Sequence, residues 1–210
     1  MHTYNKSMQK MHCFFNLSVL FFRDFCYNIS HVLRIDFQSL RKGEQMMKRN
    51  IVLVGMMGSG KSHIGRKLAR RLKWQFVDTD RRLERSVGMS IAEFFSEMGE
   101  EAFRQVESEV LADLLQRNQV VSTGGGVVLS QKNRDLLKTN TDNIYLKADF
   151  ETLYQRIAAD RDNQRPLFLN NSKEELAAIF QERQAWYEEV ASLILDVTKL
   201  SPEEIIEELR

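Results

Sequence analysis

The octapeptide Gly55-Met56-Met57-Gly58-Ser59-Gly60-Lys61-Ser62 fits the pattern G-x-x-x-x-G-K-[ST] in full. Before it lies "NIVLV", Asn50 to Val54, a β-branched run without polar alternation. Such a run suits a strand buried on both faces of a parallel sheet. After it, Lys61 to Leu72 alternates apolar and basic residues at helical spacing. Strand, glycine-rich turn and helix in that order admit few folds. The glycines let backbone N–H groups curl around a polyanion, and the start of the helix adds its dipole. The pattern predicts a nucleotide site in which Gly58, Ser59 and Gly60 surround the phosphates. Lys61 would reach the β- and γ-phosphates, and the Ser62 hydroxyl would ligate Mg²⁺. His63 joins this set by position; the competing reading for a lone histidine in a first helical turn is surface or packing.

Further strands are expected at "WQFV" (Trp74 to Val77), "QVVST" (Gln119 to Thr123), "NIYL" (Asn143 to Leu146) and "SLILDV" (Ser192 to Val197). "SIAE", Ser90 to Glu93, is a capping box that opens a helix. Glu101 to Arg117 carries apolar positions 103, 106, 110, 111, 114 and 115, a helical stripe. Phe150 to Ala159 reads as helix, "SKEE" from Ser172 caps a long one, and "SPEE" from Ser201 opens the last, with Pro202 in its first turn. Asp160 to Ser172 is polar, holds one of two prolines, and reads as a mobile loop. The alternation predicts right-handed crossovers and a parallel sheet.

A chain of 210 residues can build one α/β domain with a sizeable core. A net charge of +1 gives no reason to expect a nucleic-acid or membrane surface. No apolar run approaches the roughly 20 residues of a membrane helix. Residues 1–45 differ from the rest: they hold six Lys/Arg against three acids, both cysteines and three of the four histidines. Residues 46–210 hold 24 bases against 26 acids and no cysteine, so disulfides play no part there. "CFFNLSVLFF", Cys13 to Phe22, is short, interrupted by Asn16 and followed by no small-residue cleavage site, which argues against a secretory signal. Asp24, Asp36 and Glu44 argue against a transit peptide. "MMKRNIVLVG" reads as a start, two bases and a first strand. The expectation is that Met46 or Met47 begins the natural protein and that 1–45 is an extension, disordered or not native.

Two carboxylates, Asp78 and Asp80, end "WQFVDTD". The third strand ends in Ser122 and Thr123 without an acid, so a cation beside the phosphates needs a carboxylate from elsewhere. Asp78, at the C-terminal end of the second strand, is the natural source. In an extended chain Asp80 points the same way and can accept a hydrogen bond from an acceptor alcohol; alternatively it caps the helix in "RRLERSV". "TGGG", Thr123 to Gly126, carries three glycines, each costing about 0.5–1 kcal/mol relative to alanine in regular structure. They make sense where backbone approaches a ligand. Arg104, Arg165 and Arg183 carry forks that suit a carboxylate or a phosphate; each also fits plain surface charge, Arg104 with Glu107 at i+3.

The segments "GMMGSGKS", "FVDTD", "SIAEFFSEMGEEAFRQVE", "STGGG" and "RDNQRPLF", in that order, resemble shikimate kinase over residues 47–210. The resemblance implies a P-loop, nucleoside-monophosphate-kinase-like three-layer α/β/α fold with a five-stranded parallel sheet in order 2-3-1-4-5. It implies substrate-binding helices at about 80–117 and a lid at about 160–172 of this sequence. The implied reaction moves the γ-phosphoryl group of ATP to the 3-hydroxyl of shikimate. Carried over by position, Asp80, Arg104, Gly124, Gly125, Gly126 and Arg183 line the shikimate site. There Arg104 and Arg183 clamp the carboxylate, Glu107 orients Arg104, and Phe95 and Phe103 wall the ring. Lys61, Asp80 and Arg165 form the implied catalytic set. Ser62 and Asp78 hold Mg²⁺, Asp78 through water, while Arg165 covers the phosphates and Arg161 the adenine. The chain departs from the pattern at Ala185 (often proline), Phe168 (usually leucine) and Leu200 (where an arginine can occur), which leaves the adenine contacts near Leu200 open. The expected form is a cytoplasmic monomer acting on ATP and shikimate. A gluconate kinase on the same scaffold and a non-catalytic nucleotide-binding module are the rivals.

Overall fold

A computed structural model describes residues 50–116, 118–160 and 166–209. All but the last two of these belong to one compact unit. The expectations about residues 1–45, Arg161, Arg165 and the first half of the lid lie outside the described residues.

The elements in chain order are β1 (Asn50–Val54), α1 (Lys61–Leu72), β2 (Gln75–Asp78), α2 (Thr79–Val87), α3 (Ile91–Leu114), β3 (Gln119–Ser122), a 3₁₀ turn (Val127–Leu129), α4 (Gln131–Lys138), β4 (Asp142–Lys147), α5 (Phe150–Ala159), α6 (Pro166–Leu169), α7 (Lys173–Val190), β5 (Leu193–Asp196) and α8 (Pro202–Glu208). The strands form one sheet ordered β2-β3-β1-β4-β5, and every neighbouring pair is parallel. This is the expected 2-3-1-4-5 order. β1, β3 and all but the last residue of β4 are buried, as strands without polar alternation should be. The edge strands β2 and β5 are only partly covered.

Several boundaries differ from the sequence reading for identifiable reasons. β2 starts after Trp74, because the Trp74 N–H bonds Ala69 O and closes α1, where Lys73 turns left-handed. The Ser90 capping box opens α3 as read. The two helical signals that follow merge into one helix, broken at Gly99, whose φ of 79° is not helical, and ending at Leu114. α4 was not anticipated: it is short, and its signal is the Ser130 hydroxyl capping the Asn133 N–H. α6 lies within the stretch read as loop.

The ends of the helices explain three buried amides. A helix leaves its last carbonyls without intrahelical partners. At the N-terminal edge of the sheet these are met by side chains at or near strand starts. Asn50 donates to Leu115 O (2.7 Å), Gln119 to Leu114 O (2.7 Å), and Asn143 to both Leu137 O (2.6 Å) and Val190 O (2.9 Å). Each of the three amides is 1% exposed. Asn143 Oδ1 also accepts from Asn140. No described helix is long and apolar enough to cross a membrane. Leaving buried partners unsatisfied costs about 1–3 kcal/mol each, so Asn143→Ala should lower stability by about 3 kcal/mol. In urea titrations the midpoint should fall while the slope stays constant.

Candidate active site

The C-terminal ends of parallel strands share one edge of a sheet, where ligands of open α/β folds gather. At that edge β1 runs into residues 55–60, and α1 opens at Lys61 with Gly60 as its cap. Lys61 is buried, and its Nζ donates to Gly55 O (2.7 Å) and Met56 O (2.9 Å), which holds the ammonium over the loop. His63 is exposed, and its N–H bonds Gly60 O.

Ser62 Oγ donates to Asp78 Oδ2 at 2.7 Å and lies 3.1 Å from Ser122 Oγ. Strand register explains the cluster, since Asp78 and Ser122 are paired neighbours on β2 and β3. Asp78 also caps α2, accepting from Arg81 N at 3.4 Å. The helix cap is therefore Asp78, not Asp80. The chain turns helical at Thr79, so strand alternation does not set the direction of Asp80. Asp80 instead lies against Gly124: a Cβ there would sit 2.4 Å from Asp80 Oδ1.

The three consecutive glycines have separate neighbours. Gly124 donates its N–H to Thr79 Oγ1 (2.9 Å) and faces Asp80. Gly125 passes the phosphate loop, where a Cβ would lie 3.4 Å from Met57 N. Gly126 faces Arg104, whose Nη1 a Cβ would meet at 2.8 Å. Side chains at the first and last of these would displace the charged groups.

Arg104 donates from Nη1 to Glu107 Oε2 (2.9 Å) and Gly126 O (3.2 Å), and from Nη2 to Glu100 Oε1 (3.1 Å). The pair with Glu107 is not the exposed contact that spacing alone suggested, for Glu107 is only 5% exposed. Glu107 also accepts from Asn133 Nδ2 at 3.3 Å. Burial pushes the Glu107 carboxyl above the usual carboxylate range, opposed by the Arg104 guanidinium. Phe103 is buried; Phe95 stacks on it with centroids 4.4 Å apart, and Arg104 lies over its ring at 5.2 Å.

From α7, Arg183 Nη1 reaches Gly125 O at 3.4 Å, while its Nε is buried without an acceptor among the described residues. Tyr187, one turn further, donates to the same carbonyl. Sequence reasoning did not single out Thr79, Glu100, Ser122, Asn133 or Tyr187 as contacts of the site. Glu100 and Tyr187 could have been found four residues from Arg104 and Arg183 on the same helix faces. Asn133 gave no signal without knowledge of α4. Arg161 and Arg165 lie outside the described residues.

The family model for shikimate kinase matches residues 57–210. The shikimate kinase of Enterococcus faecalis is 45% identical over 160 residues, covering 76% of this chain and 95% of that protein. The chain belongs to the shikimate kinase family. The shikimate kinase of Streptococcus suis is 49% identical over 158 residues, 74% of this chain and 94% of its own. Among solved structures, a shikimate kinase from Acinetobacter baumannii in complex with shikimate aligns with a TM-score of 0.71 at 34% identity, over 78% of this chain and 91% of that one. A gluconokinase from Sinorhizobium meliloti 1021, at a TM-score of 0.50 and 19% identity, shares the fold alone. The shikimate kinase fold of this chain is the P-loop kinase-like α/β architecture expected.

A carboxyl raised in the folded state contributes stability that is present at low pH and lost as pH rises through its folded value. Glu107→Gln removes that titration. The stability of the variant relative to the parent chain should improve as pH rises through the window just above ordinary carboxylate values. Urea midpoints at matched pH check this, and parallel curves for the two proteins would contradict it.

Proposed function

We propose that this site transfers the γ-phosphoryl group of ATP to the 3-hydroxyl of shikimate. The chain is a kinase, with ATP as co-substrate and shikimate as acceptor. The residue assignments are supported by one observation: Asp80, Arg104 and Arg183 converge on a single glycine turn that runs against the phosphate loop. Two guanidinium groups beside such a turn suit a small carboxylic acid. In this reading Arg104 and Arg183 hold the carboxylate, Glu107 fixes Arg104, and Phe95 and Phe103 flank the ring. Asp80 accepts a hydrogen bond from the acceptor hydroxyl and is placed to take its proton. Lys61 and the loop residues Gly58, Ser59 and Gly60 hold the phosphates, with Arg165 and Arg161 completing the nucleotide side.

Phosphoryl transfer runs through a loose transition state, so the protein contributes position and charge rather than bond chemistry. The cluster of Ser62, Asp78 and Ser122 offers only hard oxygen donors. Among the described residues no group of three or more His, Cys, Asp or Glu side chains could hold a metal ion by itself. That donor set fits Mg²⁺, which takes one or two protein oxygens and completes its shell with phosphate and water. Ser62 and Asp78 would hold it, and when bound it neutralises phosphate charge. The proposed form is a monomer. The reading needs no nucleic acid or membrane and places the enzyme in the cytoplasm with its ATP.

The purified chain should release ADP saturably with shikimate and not with gluconate; ADP release indifferent to shikimate would overturn the reading. Lys61→Ala should lower turnover by about a hundredfold or more, the scale of losing one transition-state contact. Arg104→Ala should raise KM for shikimate tenfold or more and leave KM for ATP nearly unchanged. Equal changes in both constants would count against the carboxylate clamp.

A further inference from the structure

We infer that Tyr187 is a positioning residue for the acceptor: its hydroxyl occupies the Gly125 carbonyl and so leaves Arg183 open to the substrate's carboxylate. This rests on the functional reading above.

Tyr187 is fully buried, and its ring stacks on Tyr145 of β4 with centroids 5.2 Å apart and planes 25° from parallel. The ring is therefore held by packing, independently of its hydroxyl. A phenol has one proton to donate. The Gly125 carbonyl accepts it; Met56 Sδ, at 3.9 Å, is a distant second contact, and the hydroxyl oxygen also faces the Arg183 guanidinium. Arg183 sits four residues earlier on α7 and faces the same carbonyl, but at 3.4 Å, near the limit of a hydrogen bond. Its Nε is buried with no acceptor among the described residues. A guanidinium so placed is under-used by the protein, and a carboxylate is the partner its fork matches.

Two donors thus compete for one backbone oxygen, and the neutral one holds the shorter bond. Without the hydroxyl, Arg183 is, among the described residues, the one side-chain donor left to Gly125 O, and a charged donor binds such an oxygen more strongly than a neutral one. Arg183 would then be drawn onto the turn and away from the acid. The turn would exchange its tie to Tyr187 of α7 for one to Arg183. Because the same turn sets Gly124 against Asp80 and Gly126 against Arg104, the effect belongs to the acceptor side of the site.

The test is Tyr187→Phe in the full chain, which keeps the stacked ring. The expected result is a KM for shikimate raised about tenfold, a KM for ATP within about twofold of the parent, and a nearly unchanged urea midpoint. In an Arg183→Lys background the same substitution should have little further effect on the shikimate KM, because the residue it acts through is already altered. A lowered midpoint with an unaltered shikimate KM would mean that Tyr187 only packs, and would overturn the inference. So would full additivity of the two substitutions. A parent chain without shikimate-dependent turnover sinks the functional reading itself. An active parent matched in shikimate KM by Tyr187→Phe sinks only this inference.

Discussion

Taking a carboxylate out of water is unfavourable unless a cation and hydrogen-bond donors go in with it. Glu107 meets that requirement with Arg104 and Asn133, and much of the acceptor side follows from where this pair lies. As it reaches the buried carboxylate the guanidinium lies close to Gly126, where a Cβ would meet Nη1 at 2.8 Å. Phe103, one residue before Arg104, is carried into the interior by the same helix turn and supports Phe95. Removing one member of a buried pair typically costs about 3–5 kcal/mol, because the survivor is left charged and desolvated. The pair is thus a fixed point around which the glycine turn and the aromatic wall are arranged.

The two acids that touch Arg104 are not equivalent. Glu107 is 5% exposed and Glu100 65% exposed. A solvent-exposed ion pair contributes about 0–1 kcal/mol. A ligand carboxylate can therefore displace Glu100 at small cost, whereas Glu107 stays. One arginine is anchored on its buried edge and exchangeable on its outer edge, which is the asymmetry a binding group needs. Arg183 reaches a comparable state by other means, with a weak bond to a backbone oxygen in place of an anchored salt bridge.

The first strand, its loop and the following helix were legible because the motif fixes residue types at fixed spacing and its flanks carry clean periodicity. The order of the strands was legible only through the resemblance; alternation of elements predicts a parallel sheet but not which strand is central. The triple glycine correctly announced close approach, and the structure adds that the close neighbours are the protein's own Asp80 and Arg104. The argument from alternation at Asp78 and Asp80 failed because the Asp78 carboxylate starts a helix, and helical geometry then directs Asp80. Asn133 and Tyr187 were illegible for a common reason: the partner that gives each its meaning lies far along the chain. The acceptor of the Tyr187 hydroxyl is a backbone oxygen 62 residues away, and nothing in "QERQAWYEEV" singles the tyrosine out.

The neutral amides of Asn50, Gln119 and Asn143 hold helix ends at one rim of the sheet, while carboxylates, ammonium and guanidinium groups crowd the opposite rim. Amides do not titrate, and ions in solution barely screen their short, buried bonds. Acid and salt therefore act directly on the charged groups of the reactive rim and not on these three amides.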